Sequence, residues 1–177
     1  MKTLSSKYLS LILRHKPEVL GIELSKDGWA SVDEILSKCQ EKDIRADREL
    51  IEMIVREDNK TRYAFNEDHT LIRANQGHSV AVSLGFQPVK PPNLLYHGTA
   101  TRFLDSIRLS GLTSQSRQHV HLSDNLATAE NVGRRHGKLA VLIIESGKMH
   151  RAGYNFYCSD NNVWLTDHIP TEYIQFS

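Results

Sequence analysis

The sequence predicts an α+β fold in two lobes, a mainly helical lobe followed by a strand-rich one. Three observations support this prediction. Residues 1–75 contain three amphipathic helical patterns and then one hairpin pattern, and residues 93–177 contain several short apolar strand patterns. Between them, Pro88, Pro91 and Pro92 indicate a semi-rigid connection. The predicted boundaries are therefore 1–78 for the first lobe, 79–92 for the linker and 93–177 for the second lobe.

The composition excludes several classes of protein. Of the 177 residues, 40% are hydrophobic and 24% are charged, which is ordinary for a globular chain. A net charge of +1 argues against binding nucleic acid mainly through bulk positive charge. There is no apolar run of about 18 residues and no signal-peptide core, so we expect a cytoplasmic protein that does not enter a membrane. Cys39 and Cys158 are too isolated for a disulfide framework or a paired-cysteine zinc motif.

The first lobe begins with a helix that follows a cap region at Thr3-Leu4-Ser5-Ser6 and whose apolar face runs from Leu4 to Leu13. Pro17 disfavours helical backbone at the residue before it, so Arg14 and His15 should lie in the last turn. Cations near the end of a helix interact favourably with its dipole, which is a sufficient structural reason for Arg14 on its own. It does not account for the whole basic cluster at this position.

Two further helices and a hairpin complete the first lobe. A capping box over Ser31–Glu34 should open the second helix, and Asp47 should cap the third. Arg62–Phe65 and Leu71–Ala74 alternate in polarity on either side of a polar turn, which predicts a β-hairpin. Three short helices followed by a hairpin is the element order of a winged helix.

The second lobe should alternate strands and helices. A buried strand is expected at Leu94–Tyr96, followed by a helix that Thr101 caps and Gly111 stops. The remaining predicted elements are a strand over 119–122, a helix capped by Asp124, a central strand over 139–144, and strands over 163–166 and 173–176.

Two segments, residues 94–99 and 119–123, are similar to each other, because each joins a short apolar run to histidine beside a small hydroxyl residue. Gly98 indicates a place where backbone comes close to another group. Side by side, the two segments would line a cleft with imidazoles, hydroxyls and backbone N–H groups, which suits a phosphate-bearing ligand. The structural alternative is two core strands with incidental histidines.

A zinc site is not expected, because no carboxylate lies at a usual ligand spacing, and glycine-rich phosphate loops are absent from the sequence.

Six short segments, in chain order, carry a family resemblance. They are Leu13-Arg14-His15-Lys16-Pro17, Arg62 before an aromatic strand, Gln76-Gly77-His78-Ser79, Tyr96-His97-Gly98-Thr99, Arg117 with His119-Val120-His121-Leu122-Ser123, and Val163-Trp164-Leu165-Thr166. Together they resemble the RNA 2'-phosphotransferases (tRNA 2'-phosphotransferases) over nearly the whole chain.

The resemblance implies a winged-helix lobe packed on an ADP-ribosyltransferase-like lobe, with the active site in the cleft between them. It also implies that NAD is consumed as a co-substrate and that no metal is needed. The RNA 2'-phosphate would attack the ribose carbon that bears nicotinamide, and the ribose 2''-hydroxyl would then attack the phosphorus. The products would be 2'-hydroxyl RNA, nicotinamide and ADP-ribose 1'',2''-cyclic phosphate. The implied setting is tRNA splicing in the cytoplasm, and a monomer is expected.

The resemblance also assigns roles to residues. Arg14, Arg62 and Arg117 would clamp the phosphate through planar bidentate forks. His15 would move a proton at the ribose 2''-hydroxyl or at the departing RNA 2'-oxygen. Val163 occupies the position at which many ADP-ribosyltransferases carry a glutamate, whose charge would repel an attacking phosphate dianion. The implied NAD-binding residues are His97, Gly98, Thr99, His121, Leu122, Ser123 and Val163.

Two other functions stay open from the sequence alone. An ADP-ribosyltransferase that caps nucleic-acid terminal phosphates would use the same arginines and stop after the first step. A winged-helix nucleic-acid-binding module without catalysis would need several exposed cations on its reading helix. Helix 47–57 offers only Arg48 and Arg56 against three glutamates, which disfavours the second possibility.

Overall fold

The computed structural model describes residues 2–176 of the chain. The chain divides into two compact units, Met1–Gly85 and Phe86–Ser177. Both units combine helices with small β-sheets, which confirms the predicted α+β class. No helix formed by residues 2–176 is long and apolar enough to cross a membrane.

The helices of the first unit are α1 (Ser6–Arg14), α2 (Pro17–Leu20), α3 (Val32–Glu41) and α4 (Arg48–Arg56). The one-turn helix α2 is not predicted from the sequence. It starts at proline, which loses no helical hydrogen bond at the first position of a helix. It ends at Gly21, whose φ of 84° is a left-handed conformation that glycine adopts without strain.

The predicted caps of the three longer helices are confirmed. The side chains of Ser5, Ser31 and Asp47 each accept a hydrogen bond from the backbone N–H three residues later, at 3.3, 3.3 and 2.8 Å. Each bond satisfies a donor that the helix itself leaves unpaired. Local sequence therefore fixes where these helices begin.

Short strands join the helices of the first unit. Strand β1 (Lys2–Thr3) pairs in parallel with β3 (Ile44–Arg45). The antiparallel sheet has the order β2-β5-β4, formed by Ala30–Ser31, Leu71–Ala74 and Tyr63–Phe65. The pairing of β4 with β5 confirms the predicted hairpin.

A buried apolar core fixes the position of α1 in the first unit. Its fully buried side chains include Leu9, Ile12, Leu13, Ile35, Ile51 and Ile72. Truncating such a side chain to alanine typically costs about 2–5 kcal/mol of stability. Because Ile12 and Leu13 are anchored in this core, the end of α1 presents the next two residues, Arg14 and His15, in a defined direction.

The second unit is built on two three-stranded sheets. The first has the order β13-β9-β6, formed by Ile174–Phe176, Leu139–Ile144 and Leu95–Ala100. The second has the order β10-β11-β8, formed by Tyr157–Cys158, Trp164–Thr166 and Val120–Leu122. A small antiparallel pair joins β7 (Leu112–Thr113) to β12 (His168–Ile169).

The helices of the second unit are α5 (Leu104–Ser110), α6 (Leu126–Gly133) and α7 (Ser146–Arg151). Two predicted caps are wrong. Asn125 rather than Asp124 caps α6, and its side chain accepts a hydrogen bond of 2.9 Å from the backbone N–H of Thr128. Thr101 is the first residue of a 3-10 turn and does not cap α5. Aspartate and asparagine cap equally well, so the sequence alone could not choose between neighbouring positions.

Candidate functional site

The C-terminal end of α1 holds two of the predicted catalytic residues. Arg14 ends the helix with only 9% of its surface exposed, and His15 follows as its cap. The backbone carbonyl of Arg14 accepts a hydrogen bond of 2.9 Å from the N–H of Ser79. The hydroxyl of Ser79 also lies 2.9 Å from Nδ1 of His15. Ser79 therefore binds the helix end through its backbone and the imidazole of His15 through its side chain.

His78, next to Ser79 in the chain, is 2% exposed. Burial, followed by the nearby charges of Arg14, His15 and Arg73, lowers the pKa of its imidazole to about 4. Among the residues that the structure describes, its Nε2 atom has no hydrogen-bond partner. At neutral pH the ring is therefore uncharged, and it supports the basic end of α1 without adding to its charge.

Arg62, immediately before β4, is held by a carboxylate that the sequence analysis missed. Its Nη1 atom donates to Oδ1 of Asp58, whose side chain is 3% exposed, whereas that of Arg62 is 31% exposed. Asp58 also accepts from the backbone N–H of Lys60, at 3.3 Å. The carboxylate thus fixes both the turn and the guanidinium. The spacing of four residues between this aspartate and the arginine is the sequence signal that indicates their contact.

An open pocket of about 730 Å³ brings His15 and Arg62 together on the first unit. Pockets of about 300–1,000 Å³ are the size that binds small organic ligands. The residues lining it contribute hydroxyl, ammonium, imidazole and guanidinium groups and no carboxylate. They are Ser5, Ser6, Lys7, Tyr8, Ser10, Leu11, His15, Arg62 and Tyr63. The pocket is therefore suited to an anion.

In the second unit, the two histidine-bearing segments lie side by side. Tyr96 of β6 and Ser123 exchange backbone hydrogen bonds of 2.7 and 2.9 Å. Nδ1 of His97 lies 2.9 Å from the carbonyl oxygen of His121. A carbonyl can only accept, so this ring carries its proton on Nδ1. Burial lowers the pKa of His97, so the ring is neutral at pH 7 and its Nε2 atom is a hydrogen-bond acceptor.

Arg117 is linked to the same pair of segments. It lies in the loop before β8, and its Nη1 atom is 3.1 Å from Nδ1 of His121. Because a guanidinium only donates, His121 accepts through an unprotonated Nδ1. A connected series of contacts therefore runs from Arg117 through His121 to His97, and it joins three of the residues that the resemblance assigns to the site.

Gly98 owes its identity to packing against α6. A Cβ atom at this position would lie 1.7 Å from the backbone oxygen of Ala129 in that helix. The prediction that backbone approaches closely at Gly98 is confirmed, and the approaching group is α6. The neighbouring Thr99 is buried, and its backbone lies against Gly133 of the same helix. This close contact fixes the position of β6.

The other residues assigned to NAD lie around β8 and β11. Leu122 is buried and pairs with Trp164 of β11. The Ser123 hydroxyl donates to the carbonyl of Asn125 and accepts from its N–H, each at 3.0 Å. Val163 is half-buried just before β11, and its backbone N–H donates to the hydroxyl of Ser159 at 3.1 Å.

His119, the remaining histidine of this segment, contacts aromatic and acidic neighbours. Its ring packs edge-on against Tyr157, with centroids 5.5 Å apart, and its Nε2 atom lies 3.6 Å from Oδ1 of Asp167. Within residues 2–176, no group of three or more histidine, cysteine, aspartate or glutamate side chains is placed to hold a metal ion.

The chain also matches known proteins. Residues 2–168 match the model of a family described as RNA 2'-phosphotransferase, Tpt1 / KptA family. The chain belongs to this family. The membership confirms the resemblance found in the sequence and identifies an enzyme of RNA 2'-phosphate transfer.

Relatives from several bacteria cover almost the whole chain. A probable RNA 2'-phosphotransferase of Nostoc punctiforme is 52% identical over 96% of this chain and 94% of its own length. A protein of the same name from Flavobacterium johnsoniae is 50% identical over 97% and 94% of the two lengths. Another from Fusobacterium nucleatum is 50% identical over 96% of each.

Proposed function

We propose that this chain removes an internal 2'-phosphate from RNA by transferring it to NAD through an ADP-ribosylated RNA intermediate. The products are 2'-hydroxyl RNA, nicotinamide and ADP-ribose 1'',2''-cyclic phosphate. One observation carries the proposal: His15 and Arg62, which are distant in sequence, line one pocket that includes several other donor groups and has no carboxylate in its lining. A 2'-phosphate carries up to two negative charges, and such a pocket favours it.

Arg62 supplies the clearest phosphate contact. Asp58 holds one edge of its guanidinium and so limits the rotation of a long side chain. A guanidinium presents five N–H donors in a fixed plane, so the remaining donors point in directions set by that anchor. Such donors bind phosphate oxygens in pairs and stabilise the negative charge that spreads over them during transfer. Arg14 and Arg117 are proposed to complete the clamp.

His15 is proposed to carry the proton transfer. Imidazole is the side chain whose ordinary pKa lies closest to neutral pH, so it exchanges protons without a large energetic cost. The hydroxyl of Ser79, 2.9 Å from Nδ1, limits the orientations that the ring can take. The proposed partners in transfer are the ribose 2''-hydroxyl and the departing RNA 2'-oxygen.

The second unit is proposed to bind NAD, which supplies a ribose carbon bearing a good leaving group. The neutral His97 ring has an acceptor nitrogen suited to a ribose hydroxyl. Thr99, Ser123 and the backbone of β6 and β8 supply further polar groups. The apolar side chain of Val163 adds no negative charge near an incoming phosphate.

We also propose a finer fold description for each unit. The three longer helices and the β2-β5-β4 sheet of the first unit support a winged helix. The two antiparallel sheets of the second unit, joined at Tyr96 and Ser123, support an ADP-ribosyltransferase-like fold.

The deciding experiment incubates the protein with a short RNA that bears one internal 2'-phosphate, with and without NAD, and resolves the products by mass. We expect NAD-dependent loss of the phosphate together with ADP-ribose cyclic phosphate. An adduct heavier by one ADP-ribose that never resolves would support the transferase that caps terminal phosphates. Unchanged RNA in both incubations would refute the proposed reaction.

A further inference from the structure

The pocket on the first unit extends well beyond the two residues assigned to the 2'-phosphate. His15 caps the C-terminal end of α1, whereas Ser5, Ser6 and Lys7 line the same pocket from the other end of that helix. At about 1.5 Å per residue, Lys7 and His15 are separated by about 12 Å along α1. A volume of about 730 Å³ is that of a site for a whole organic ligand, far more than one phosphate group needs.

One face of α1 forms a wall of the pocket. Lys7, Leu11 and His15 are spaced by four residues, so their side chains follow one another along the same face. Ser10 lies beside this row and also lines the pocket. The face therefore presents an ammonium group at one end and an imidazole at the other, with an apolar side chain and a hydroxyl between them.

The charge of the lining is unlike that of the unit around it. Residues 1–79 contain 14 acidic and 13 basic residues, counting Asp and Glu against Lys and Arg, yet no acidic residue lines the pocket. In the part of the chain that the structure describes, neither the Lys7 ammonium nor the Ser10 hydroxyl is committed to a salt bridge or hydrogen bond with another side chain. Both are exposed or half-exposed and able to bind an external anion.

We propose that Lys7 and Ser10 form a subsite for the RNA strand, which binds a backbone phosphodiester flanking the 2'-phosphate. This inference rests on the proposed function, because it takes His15 and Arg62 to bind the 2'-phosphate. The separation along α1 suits a second anion on the same strand. Leu11 lies between the two anion positions and offers an apolar surface to the sugar that connects them. The subsite would give the enzyme a physical reason to prefer an internal 2'-phosphate.

Equilibrium binding tests the subsite without requiring turnover. A fluorescent six-nucleotide RNA with one internal 2'-phosphate is titrated with wild-type protein, Lys7→Ala and Ser10→Ala. A second RNA is identical except that the phosphodiesters flanking the 2'-phosphate are uncharged methylphosphonates. Lys26→Ala is the matched control, because Lys26 is an exposed lysine of the same unit that does not line the pocket.

For the charged RNA, we expect Lys7→Ala to raise Kd by about five- to tenfold. The slope of log Kd against log salt concentration should decrease by about one, which is the effect of losing one phosphate contact. Ser10→Ala should raise Kd by about two- to threefold, because a neutral hydroxyl donates a weaker hydrogen bond than an ammonium. On the methylphosphonate RNA both variants should equal wild type. Lys26→Ala should equal wild type on both RNAs.

Two results would overturn the subsite. One is a Kd for Lys7→Ala that equals wild type on the charged RNA. The other is an equal loss on both RNAs, which would mean that Lys7 acts elsewhere. Turnover with the same RNAs then distinguishes a pocket that binds RNA from the proposed reaction. If wild type binds as expected but consumes no NAD, the reaction fails and the subsite stands. A raised KM for NAD in Lys7→Ala would assign the pocket to the dinucleotide and refute the subsite.

Discussion

The two units fix their arginines in different ways. In the first unit Arg62 is bound to Asp58, whose side chain is 3% exposed, so its guanidinium is held by a buried opposite charge. In the second unit Nη1 of Arg117 donates to the unprotonated Nδ1 of His121, so no opposite charge offsets that of the guanidinium in this contact. The carboxylate anchor favours fixed geometry, and the imidazole anchor favours attraction for an anion.

The histidines differ in the same sense. His15 is at a helix end, beside a hydroxyl and on the wall of an open pocket. His97 is fixed by the carbonyl of His121, and burial lowers its pKa, so it stays neutral over the physiological range. The first environment suits a group that exchanges protons, and the second suits a group that binds a hydroxyl.

The largest expected effect separates these two histidines. His15→Ala should lower kcat by about 10²–10⁴-fold with little change in the KM for NAD, because it removes a proton donor or acceptor from the reaction. His97→Ala should mainly raise the KM for NAD, because it removes a binding contact. Steady-state kinetics on 2'-phosphorylated RNA would measure both. Unchanged turnover by His15→Ala would remove its role, and the opposite pattern would reverse the assignment of the two units.

The two arginine anchors are compared next. Arg62→Lys should lower kcat/KM by about 10²-fold, nearly as much as Arg62→Ala, because lysine cannot form the planar fork. Asp58→Asn alone should lower it less, by about tenfold, because the amide oxygen still accepts a hydrogen bond while the ionic anchor is lost. In the double variant Asp58→Asn, Arg62→Lys, the loss of kcat/KM should be smaller than the product of the two single losses, because both changes affect one contact. In the double variant Asp58→Asn, Arg117→Lys, the loss should equal that product.

Two results would contradict this comparison. Near-normal activity of Arg62→Lys would exclude a bidentate clamp at this position. If the Asp58→Asn, Arg62→Lys double variant lost the full product of the two single losses in kcat/KM, Asp58 would act independently of Arg62. Circular dichroism of each variant would verify that the fold is retained, since Asp58 also accepts from a backbone N–H in its turn.

A buried histidine makes the stability of the first unit depend on pH. His78 has a pKa of about 4 when folded against 6.5 when unfolded, so only the unfolded chain takes up a proton as pH falls between these values. The free energy of unfolding is therefore not reduced by His78 above pH 6.5. It decreases as pH falls towards 4, by up to about 3 kcal/mol. His78→Gln has no titrating group and should lack this part of the pH dependence.

Urea unfolding at several pH values would measure the difference. Trp29 emission in a Trp164→Phe background reports the first unit, because Trp29 lies in it under the Arg73 guanidinium, 4.5 Å from the ring centroid. The charged groups that face His78 are Arg14, His15 and Arg73, and they are the same in both proteins. If the free energy of unfolding depended on pH in the same way with and without His78→Gln, the lowered pKa of His78 would be contradicted.

What the sequence predicted well was local or carried by motifs. Helix caps at Ser5, Ser31 and Asp47 depend on residues three positions apart, so the pattern is readable. The similar segments that contain His97 and His121 predict a shared cleft if they lie side by side, and in the structure they do. The fold class followed from the periods of the apolar residues.

What the sequence missed depends on contacts that no local pattern encodes. The burial of His78 results from packing against the end of α1, and a histidine in a polar segment gives no sign of it. Asp58 is an exception, because its spacing of four residues from Arg62 is a local signal, but an aspartate in a turn ordinarily has a capping role. The extension of the pocket to Lys7 appears only once α1 is placed beside Arg62.

The smallest expected effect concerns how His15 is oriented. Ser79→Ala removes the hydroxyl that lies 2.9 Å from Nδ1 but keeps the backbone N–H that binds Arg14. The imidazole should then sample more orientations, and kcat should fall by about tenfold or less, with the KM for NAD unchanged. Ser79→Thr keeps a hydroxyl and should recover most of the loss. Ser83→Ala is the matched control, since this exposed serine of the same segment is fixed through its backbone N–H.

A shift in the pH–rate profile distinguishes orientation from general loosening of the fold. If Ser79 holds the imidazole that exchanges the proton, Ser79→Ala should move the limb of the kcat profile that reports His15, whereas Ser83→Ala should not. Threonine that rescues no better than alanine would mean that the hydroxyl is not the active feature. The backbone N–H of Ser79 also binds the end of α1. If Ser79→Ala lowered stability without shifting the limb of the pH profile, the role of Ser79 would be structural. The orientation of His15 would then be set by the other residues of the pocket.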